Sequence, residues 1–167
     1  PWDGYVRTLP AGPGPRLAGR LITGLGFALL GLVPVLLVAG LFTAATVTPA
    51  QFGAGAGVLI AGAVPFLFAG FAIGYALPVK AALAAAQVLL FPLAFVGGLF
   101  LPVENFPGWL NQISQVLPTR GARDLLITVL TGAAPSTVAV AALIGWTVLL
   151  AGLAGWAYQR DEGRRFR

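Results

Sequence analysis

The sequence predicts an all-α protein, a polytopic transmembrane helical bundle with four spans and an external re-entrant helical hairpin before the last span. Composition is the first reason: 58% of the residues are hydrophobic, only 9% are charged, and the mean hydropathy is +0.90. A soluble domain carries about 25% charged residues. Polar surface is therefore too scarce to cover a water-soluble sphere, and lipid must cover much of residues 1–167, which we expect to form a single transmembrane domain.

Long uncharged runs are the second reason. No formal charge lies between Leu21 and Val79, which leaves room for two spans of about 20 residues. The stretch "TAATVTPAQFGAG" from Thr43 to Gly55 collects polar residues and a proline, and is predicted to connect them. The predicted segments are a cytosolic lead-in at 1–20 and spans at about 21–42 and 53–77.

Two further spans follow the motif "LPVK". Pro78 disfavours helix at the residue before it, and Lys80 is costly at bilayer depth. Gly132 and Pro135 are stop and restart signals before the final apolar run. The predicted segments are spans at about 81–101 and 136–158, with a cytosolic tail at 159–167.

The segment 102–135 between these spans contains two short elements. "PGWLNQISQVL", beginning at Pro107, has its apolar residues on one helical face, and its eleven residues reach only about 16 Å. Asn105 is a candidate capping group for it. "GARDLLITVL", from Gly121 to Leu130, is also too short to span. Two half-length helices are predicted to form a re-entrant hairpin, because unpaired backbone at membrane depth is costly.

Basic residues give the predicted orientation. With four spans, eight of the ten Lys and Arg residues fall on one side of the membrane and two on the other. The eight are Arg7, Arg16, Arg20, Lys80, Arg160, Arg164, Arg165 and Arg167, and the two are Arg120 and Arg123. Because basic residues favour the cytoplasmic side, both ends of the chain are predicted to be cytoplasmic and the hairpin external.

Residue usage argues against several classes of chemistry. The chain has no cysteine and no histidine, so it offers no thiol nucleophile, imidazole base or ordinary zinc ligand set. We therefore predict no catalytic, cofactor or metal site. The basic residues border apolar runs and are not interleaved with stacking aromatics, which argues against nucleic acid as a partner.

Intramembrane glycines and prolines give weaker signals. The pairs Gly70 and Gly74, Ala141 and Gly145, and Ala151 and Gly155 have the spacing that lets membrane helices approach closely. Such spacings also arise by chance in a chain with 23 glycines. Pro34, Pro65 and Pro92 lie within predicted spans, where each removes a backbone donor and favours a kink.

The stretch "FPLAFVGGLFLPVENFPGWLNQISQVLPTRGARDLLITVLTG", from Phe91 to Gly132, resembles the C-terminal half of the permease subunits of ABC-2-type exporters. In that family a span ends in a small-residue, proline-containing turn, followed by an amphipathic element and a final span with a basic tail. "WDGYVRTLPAGPGPRLAGRLI" is similar to the family's cytosolic segment before its third span. The departure is "GPGP" at Gly12 to Pro15, which breaks a helix that the family usually continues.

The resemblance implies an exporter subunit in a bacterial plasma membrane, with this chain as spans three to six of six. The absence of methionine fits a missing N-terminal part. Expected partners are an ATP-binding cassette ATPase subunit, which holds ATP and Mg, a second permease subunit in a homodimer, and membrane lipid. The expected hinge and outer-gate residues are Gly97, Gly98, Pro102, Glu104, Asn105 and Pro107. The expected ATPase-contact residues are Asp3, Tyr5 and Arg7.

Two questions stay open at this point. For the charges Glu104, Arg120, Arg123 and Asp124, solvation at the outer interface is favoured over substrate contact. A secondary transporter and a non-transporting membrane scaffold remain alternatives to the exporter. Coupling to protons or sodium usually relies on buried carboxylates or unwound helices, and the predicted spans contain no carboxylate.

Overall fold

The computed structural model describes residues 13–42 and 47–165. These residues form six α-helices and one short 3-10 turn, with no strand among them. The helices are α1 (Pro13–Phe42), α2 (Pro49–Ala76), α3 (Val79–Val96), α4 (Gly108–Gln115), α5 (Pro118–Thr131) and α6 (Thr137–Arg165), and the 3-10 turn is Val103–Asn105. The all-α prediction is confirmed.

Four of these helices are long and apolar enough to cross a membrane, as the sequence predicts. The candidate spans are Ala18–Val38, Pro49–Ala76, Val79–Val96 and Thr137–Asp161, with mean hydropathies between 2.0 and 2.5. The shortest has 18 residues, which corresponds to about 27 Å of helix and so approaches the thickness of the hydrocarbon core.

α3 ends at Val96, short of residue 101, where the sequence predicts the end of the third span. The cause is local. Gly98 adopts the left-handed conformation, with φ of 75°, and its N–H donates to the Phe95 carbonyl at 3.1 Å. The N–H of Leu99 donates to the Ala94 carbonyl at 3.0 Å. This pair of bonds is a Schellman motif, which satisfies two of the last carbonyls of α3 and turns the chain away.

The chain divides into two compact units, Pro1–Ala45 and Thr46–Arg167. The first contains α1, which begins inside the "GPGP" stretch at Pro13. Proline is tolerated in a first helical turn because its missing N–H has no intrahelical partner there. α1 continues through Pro34, as α2 and α3 continue through Pro65 and Pro92.

The second unit is built around α2 and α6, which pack along each other, with α5 against both and α3 beside α2. Its core consists mostly of small side chains, and Ala69, Ala139, Ala154 and Ala157 are all buried. At one end of the α2–α6 pair, the rings of Tyr75 and Tyr158 meet edge to face with centroids 5.1 Å apart. Small residues suit this packing because they let the helix backbones approach closely. In lipid the hydrophobic effect contributes little to helix association, so close packing must stabilise it instead.

The glycines at the close helix contacts are not those that spacing singles out. A Cβ atom on Gly62 of α2 would lie 2.9 Å from the Cβ of Ala122 in α5. At Gly70, Gly74, Gly145 and Gly155, an added Cβ would meet nothing within 4 Å in the described part of the chain. The predicted pairs therefore do not mark helix contacts among these residues. The close approaches are instead between α2 and α5 at Gly62 and between α5 and α6 at Gly121, where a Cβ would lie 2.9 Å from the Ala139 carbonyl oxygen.

Candidate functional site

The segment between α3 and α6 is the candidate site, and its two helices form a hairpin. α4 has eight residues, or about 12 Å of helix, and begins after Pro107. α5 has fourteen residues, or about 21 Å, and begins at Pro118. Val116 and Leu117 form the turn between them. We call residues 108–131 the hairpin.

Two long-range hydrogen bonds hold this turn. The indole Nε1–H of Trp146 in α6 donates to the Val116 carbonyl oxygen at 2.7 Å. The Thr119 hydroxyl, in the first turn of α5, donates to the Leu93 carbonyl oxygen at 2.8 Å. A turn and a helix N-terminus leave backbone groups without local partners. The hairpin turn is therefore tied to α6 and, through the start of α5, to α3.

Gly97, directly after α3, leaves the space that lets Thr119 of α5 contact α3. A Cβ atom at this position would collide with the hydroxyl oxygen and the Cβ of Thr119. Gly97 is also buried. Any larger residue there would push α5 away from α3 and stretch the bond between Thr119 and Leu93.

α5 then runs from the middle of α2 toward its N-terminal end. Ala122 meets Gly62, and one turn later the side chain of Leu126 lies 3.6 Å from where a Cβ of Gly55 would be. Beyond that, the Gln51 amide Nε2–H donates to the Leu130 carbonyl at 3.0 Å. Gln51 also completes a capping box with Thr48 at the start of α2.

The predicted hinge and gate residues cluster between α3 and α4. Gly97 and Gly98 end α3; Pro102, Glu104 and Asn105 belong to the 3-10 turn and its flank; and Pro107 precedes α4. The expectation that Asn105 caps α4 is wrong, because Pro107 holds the N-cap position and no side chain makes a capping hydrogen bond there. Asp3, Tyr5 and Arg7 lie outside the described residues.

A charged network joins the two arms of the hairpin. Arg120 Nε lies 2.7 Å from Asp124 Oδ2, and Arg123 Nη1 lies 3.0 Å from Asp124 Oδ1. Arg120 Nη1 donates to the hydroxyl of Ser114 at 3.3 Å and to the side-chain amide oxygen Oδ1 of Asn111 at 3.4 Å. Only 12% of the Arg120 side chain and 27% of the Asp124 side chain are exposed.

This network differs from the simple solvation expected for these charges. Glu104 is exposed, but the other three are partly buried and paired with one another. Sequence reasoning missed the pairing, although the four-residue spacing of Arg120 and Asp124 is a signal for contact on one helical face. The partner in α4, Ser114, is fully buried, and no local pattern identifies it.

A cleft of about 190 Å³ opens beside the network. Its lining comes from the end of α4, from α5 and from the start of α6. The lining residues are Gln115, Arg120, Asp124, Ser136, Val138 and Ala139.

Membrane-length apolar helices, with a short polar-faced hairpin inserted before the last of them, define this chain as a polytopic membrane protein. It is a distant homologue of the Bacillus subtilis (strain 168) protein named "Putative transport permease YvfS". The two are 25% identical over 165 residues, which cover 96% of this chain and 66% of that protein. The chain therefore spans just under two thirds of this relative's length. No protein-family model matches the chain, and no solved structure matches it.

Proposed function

We propose that this chain is part of the membrane-spanning permease subunit of an ATP-binding cassette exporter of the ABC-2 type. In this proposal the subunit moves a substrate out across the plasma membrane by alternating access, and a separate ATPase subunit supplies the energy. The observation that carries the proposal is the helical hairpin between the last two candidate spans, in a chain that aligns with a transport permease over 96% of its length.

The depth of the hairpin supports a re-entrant arrangement. Its turn bonds to Trp146 within α6, and the first residues of α5 contact Leu93 in α3 and Gly62 near the middle of α2. Along α2 this turn lies near the middle of the helix, whereas along α3 it lies beside the last turn, which contains Leu93. From there α5 returns to the N-terminal end of α2, where Gln51 bonds to its last turn. An amphipathic α4 too short to span fits the other arm.

The contacts of the hairpin turn suggest how a movement of α3 would be transmitted to the hairpin on the outer side of the membrane. Thr119 binds α3 and Trp146 binds the preceding turn, so the hairpin contacts two spans at once. A tilt of α3 relative to α6 must either break one bond or carry the hairpin along. Gly97 and Gly98, at the end of α3, are the hinge in this proposal, and the 102–107 segment is the outer gate.

Charge placement supports an energy source outside the membrane. α2 and α3 contain no acidic residue, and the acidic residues of α6 lie in its last turns. A proton-coupled or sodium-coupled carrier usually holds carboxylates at depth, and the carboxylate of the hairpin, Asp124, is already paired with Arg120 and Arg123. An ATPase subunit that binds ATP and Mg, docked near Asp3, Tyr5 and Arg7, and a second copy of the permease complete the proposed assembly.

Co-purification of the full-length subunit from its native membrane tests this proposal. We expect a nucleotide-binding ATPase to be recovered with it and Arg7→Glu to reduce that recovery. Gln112→Glu, on the exposed face of α4, is the control and leaves recovery unchanged. An intact subunit that brings no nucleotide-binding protein, in cells whose efflux resists ATP depletion, would contradict the proposal. Efflux that follows the proton gradient instead would favour a secondary transporter.

A further inference from the structure

The cleft between the hairpin and the start of α6 has the properties of a binding site. Four of its six lining residues are polar or charged: Gln115, Arg120, Asp124 and Ser136. Its volume of about 190 Å³ is several times the roughly 30 Å³ that one water occupies in the liquid. A group of the size of a phosphate or a carboxylate fits within it.

The charge around the cleft is unbalanced. Arg120 and Arg123 share a single carboxylate, that of Asp124, so the network carries one net positive charge. The side chains are only 12%, 22% and 27% exposed, respectively. A partly buried charge without a counter-charge is unfavourable, and the cost is greater at bilayer depth. An anion in the cleft would restore the balance.

Arg120 and Ser136 also have hydrogen-bond donors available for a ligand in the cleft. A guanidinium carries five N–H donors. Arg120 uses Nε and Nη1, and its Nη2 has no hydrogen-bond partner among residues 13–42 and 47–165. The Ser136 oxygen accepts a long bond of 3.5 Å from the Ala139 N–H, so its hydroxyl hydrogen can still be donated. Arg120 and Ser136 both line the cleft, and several donors at one cleft suit an acceptor with several oxygens.

The apolar part of the lining indicates what carries the anion. Val138 and Ala139 complete the cleft, and Val138, at the start of α6, is 48% exposed. An apolar surface therefore continues from the charged group along a candidate span. This arrangement matches an amphiphile with an anionic head and an alkyl chain.

We propose that this cleft binds the phosphate or carboxylate headgroup of an anionic amphiphile, with Arg120 as the principal ligand and with Ser136 and Gln115 as additional donors. Asp124 orients Arg120 and competes with the headgroup for it. The inference goes beyond the proposed function, because binding at this cleft requires neither the ATPase nor transport. Its failure is therefore distinguishable from failure of the exporter assignment.

The test is a titration of dodecyl phosphate into the full-length protein in phosphatidylcholine nanodiscs, with dodecyl maltoside as the uncharged comparison. We expect Arg120→Gln to weaken dodecyl phosphate binding by about tenfold or more, since a charge-assisted hydrogen bond is lost. Asp124→Asn is expected to strengthen it by about fivefold, since a competing negative charge is removed. Arg160→Gln changes the net charge equally at the far end of α6 and should leave binding unchanged.

The opposite signs separate binding from structural support, because a merely structural role predicts that both substitutions weaken binding. If Arg120→Gln does not fold, Asp124→Asn decides alone: tighter binding supports the site, and unchanged or weaker binding overturns it. Dodecyl phosphate binding no stronger than that of dodecyl maltoside also overturns it. Inorganic phosphate provides a further arm. If it displaces dodecyl phosphate at equal concentration, the alkyl chain adds nothing to binding, and the site is assigned to a free anion, which overturns the amphiphile proposal. If it displaces dodecyl phosphate only at a large excess, both the anionic group and the alkyl chain contribute, and the proposal is supported.

Discussion

The hydroxyl of Thr119 donates a 2.8 Å hydrogen bond to the Leu93 carbonyl oxygen across the space that Gly97 leaves empty. This bond joins α5 to α3 at a point where α3 has almost ended. The same carbonyl accepts the Gly97 N–H at 2.8 Å, so both its lone pairs are used. The proposed coupling between α3 and the hairpin depends on this contact.

Gly97→Ala is expected to separate the two helices. The added methyl collides with Thr119, and overpacking of this kind costs about 1 to 3 kcal/mol. Thermal unfolding in detergent measures the loss. Gly108→Ala is the matched control, because a Cβ at that exposed position meets nothing within 4 Å among the described residues. Equal effects of the two substitutions would show that the close approach at Gly97 is not present.

Thr119→Val removes the hydroxyl and keeps the shape of the side chain. Loss of one hydrogen bond is expected to destabilise the protein by about 1 kcal/mol. Thr131→Val provides the comparison, since among the described residues its exposed hydroxyl bonds only to the Ile127 carbonyl oxygen within the same helix, at 2.9 Å. The denaturation midpoint should fall for the first variant and stay nearly constant for the second. A larger fall for Thr131→Val would contradict the assigned role of Thr119.

Trp146→Phe is expected to release the hairpin turn from α6. Phenylalanine keeps most of the aromatic surface but has no N–H for the Val116 carbonyl. Hydrogen exchange of the backbone around residues 114–119 should therefore become faster. Trp156→Phe, a substitution of an exposed tryptophan near the other end of α6, serves as control and should leave that exchange unchanged. Unchanged exchange in both variants would show that the hydrogen bond from Trp146 to Val116 does not hold the turn in place.

The pair Arg120 and Asp124 should behave non-additively. Arg120→Ala leaves a partly buried carboxylate with one fewer partner, and we expect a loss of about 1.5 to 3 kcal/mol. The double variant with Asp124→Ala should cost less than the sum of the two single variants. A double-mutant cycle on the free energy of unfolding measures the coupling. Strict additivity would mean that the observed ion pair does not contribute to stability.

The local sequence pattern was sufficient to predict the helices but not the contacts between them. Long apolar runs mark the four candidate spans, and the glycine after α5, Gly132, ends that helix in the left-handed conformation. The bonds from Thr119 to Leu93 and from Trp146 to Val116 join residues 26 and 30 positions apart. Helical periodicity carries no information at such separations. Small-residue spacing likewise selected Gly70 and Gly74, whereas close helix contacts occur at Gly62 and Gly121.

The orientation of the hairpin is the central claim, and cysteine labelling tests it most directly. Residues 1–167 contain no cysteine, so a single one introduced at Gln112 or at Arg164 is the only thiol among them. Intact cells are treated with a membrane-impermeant maleimide, and permeabilised cells serve as the control for reactivity. The account predicts labelling at position 112 and protection at position 164 until the membrane is opened. Labelling at 164 with protection at 112 would contradict it.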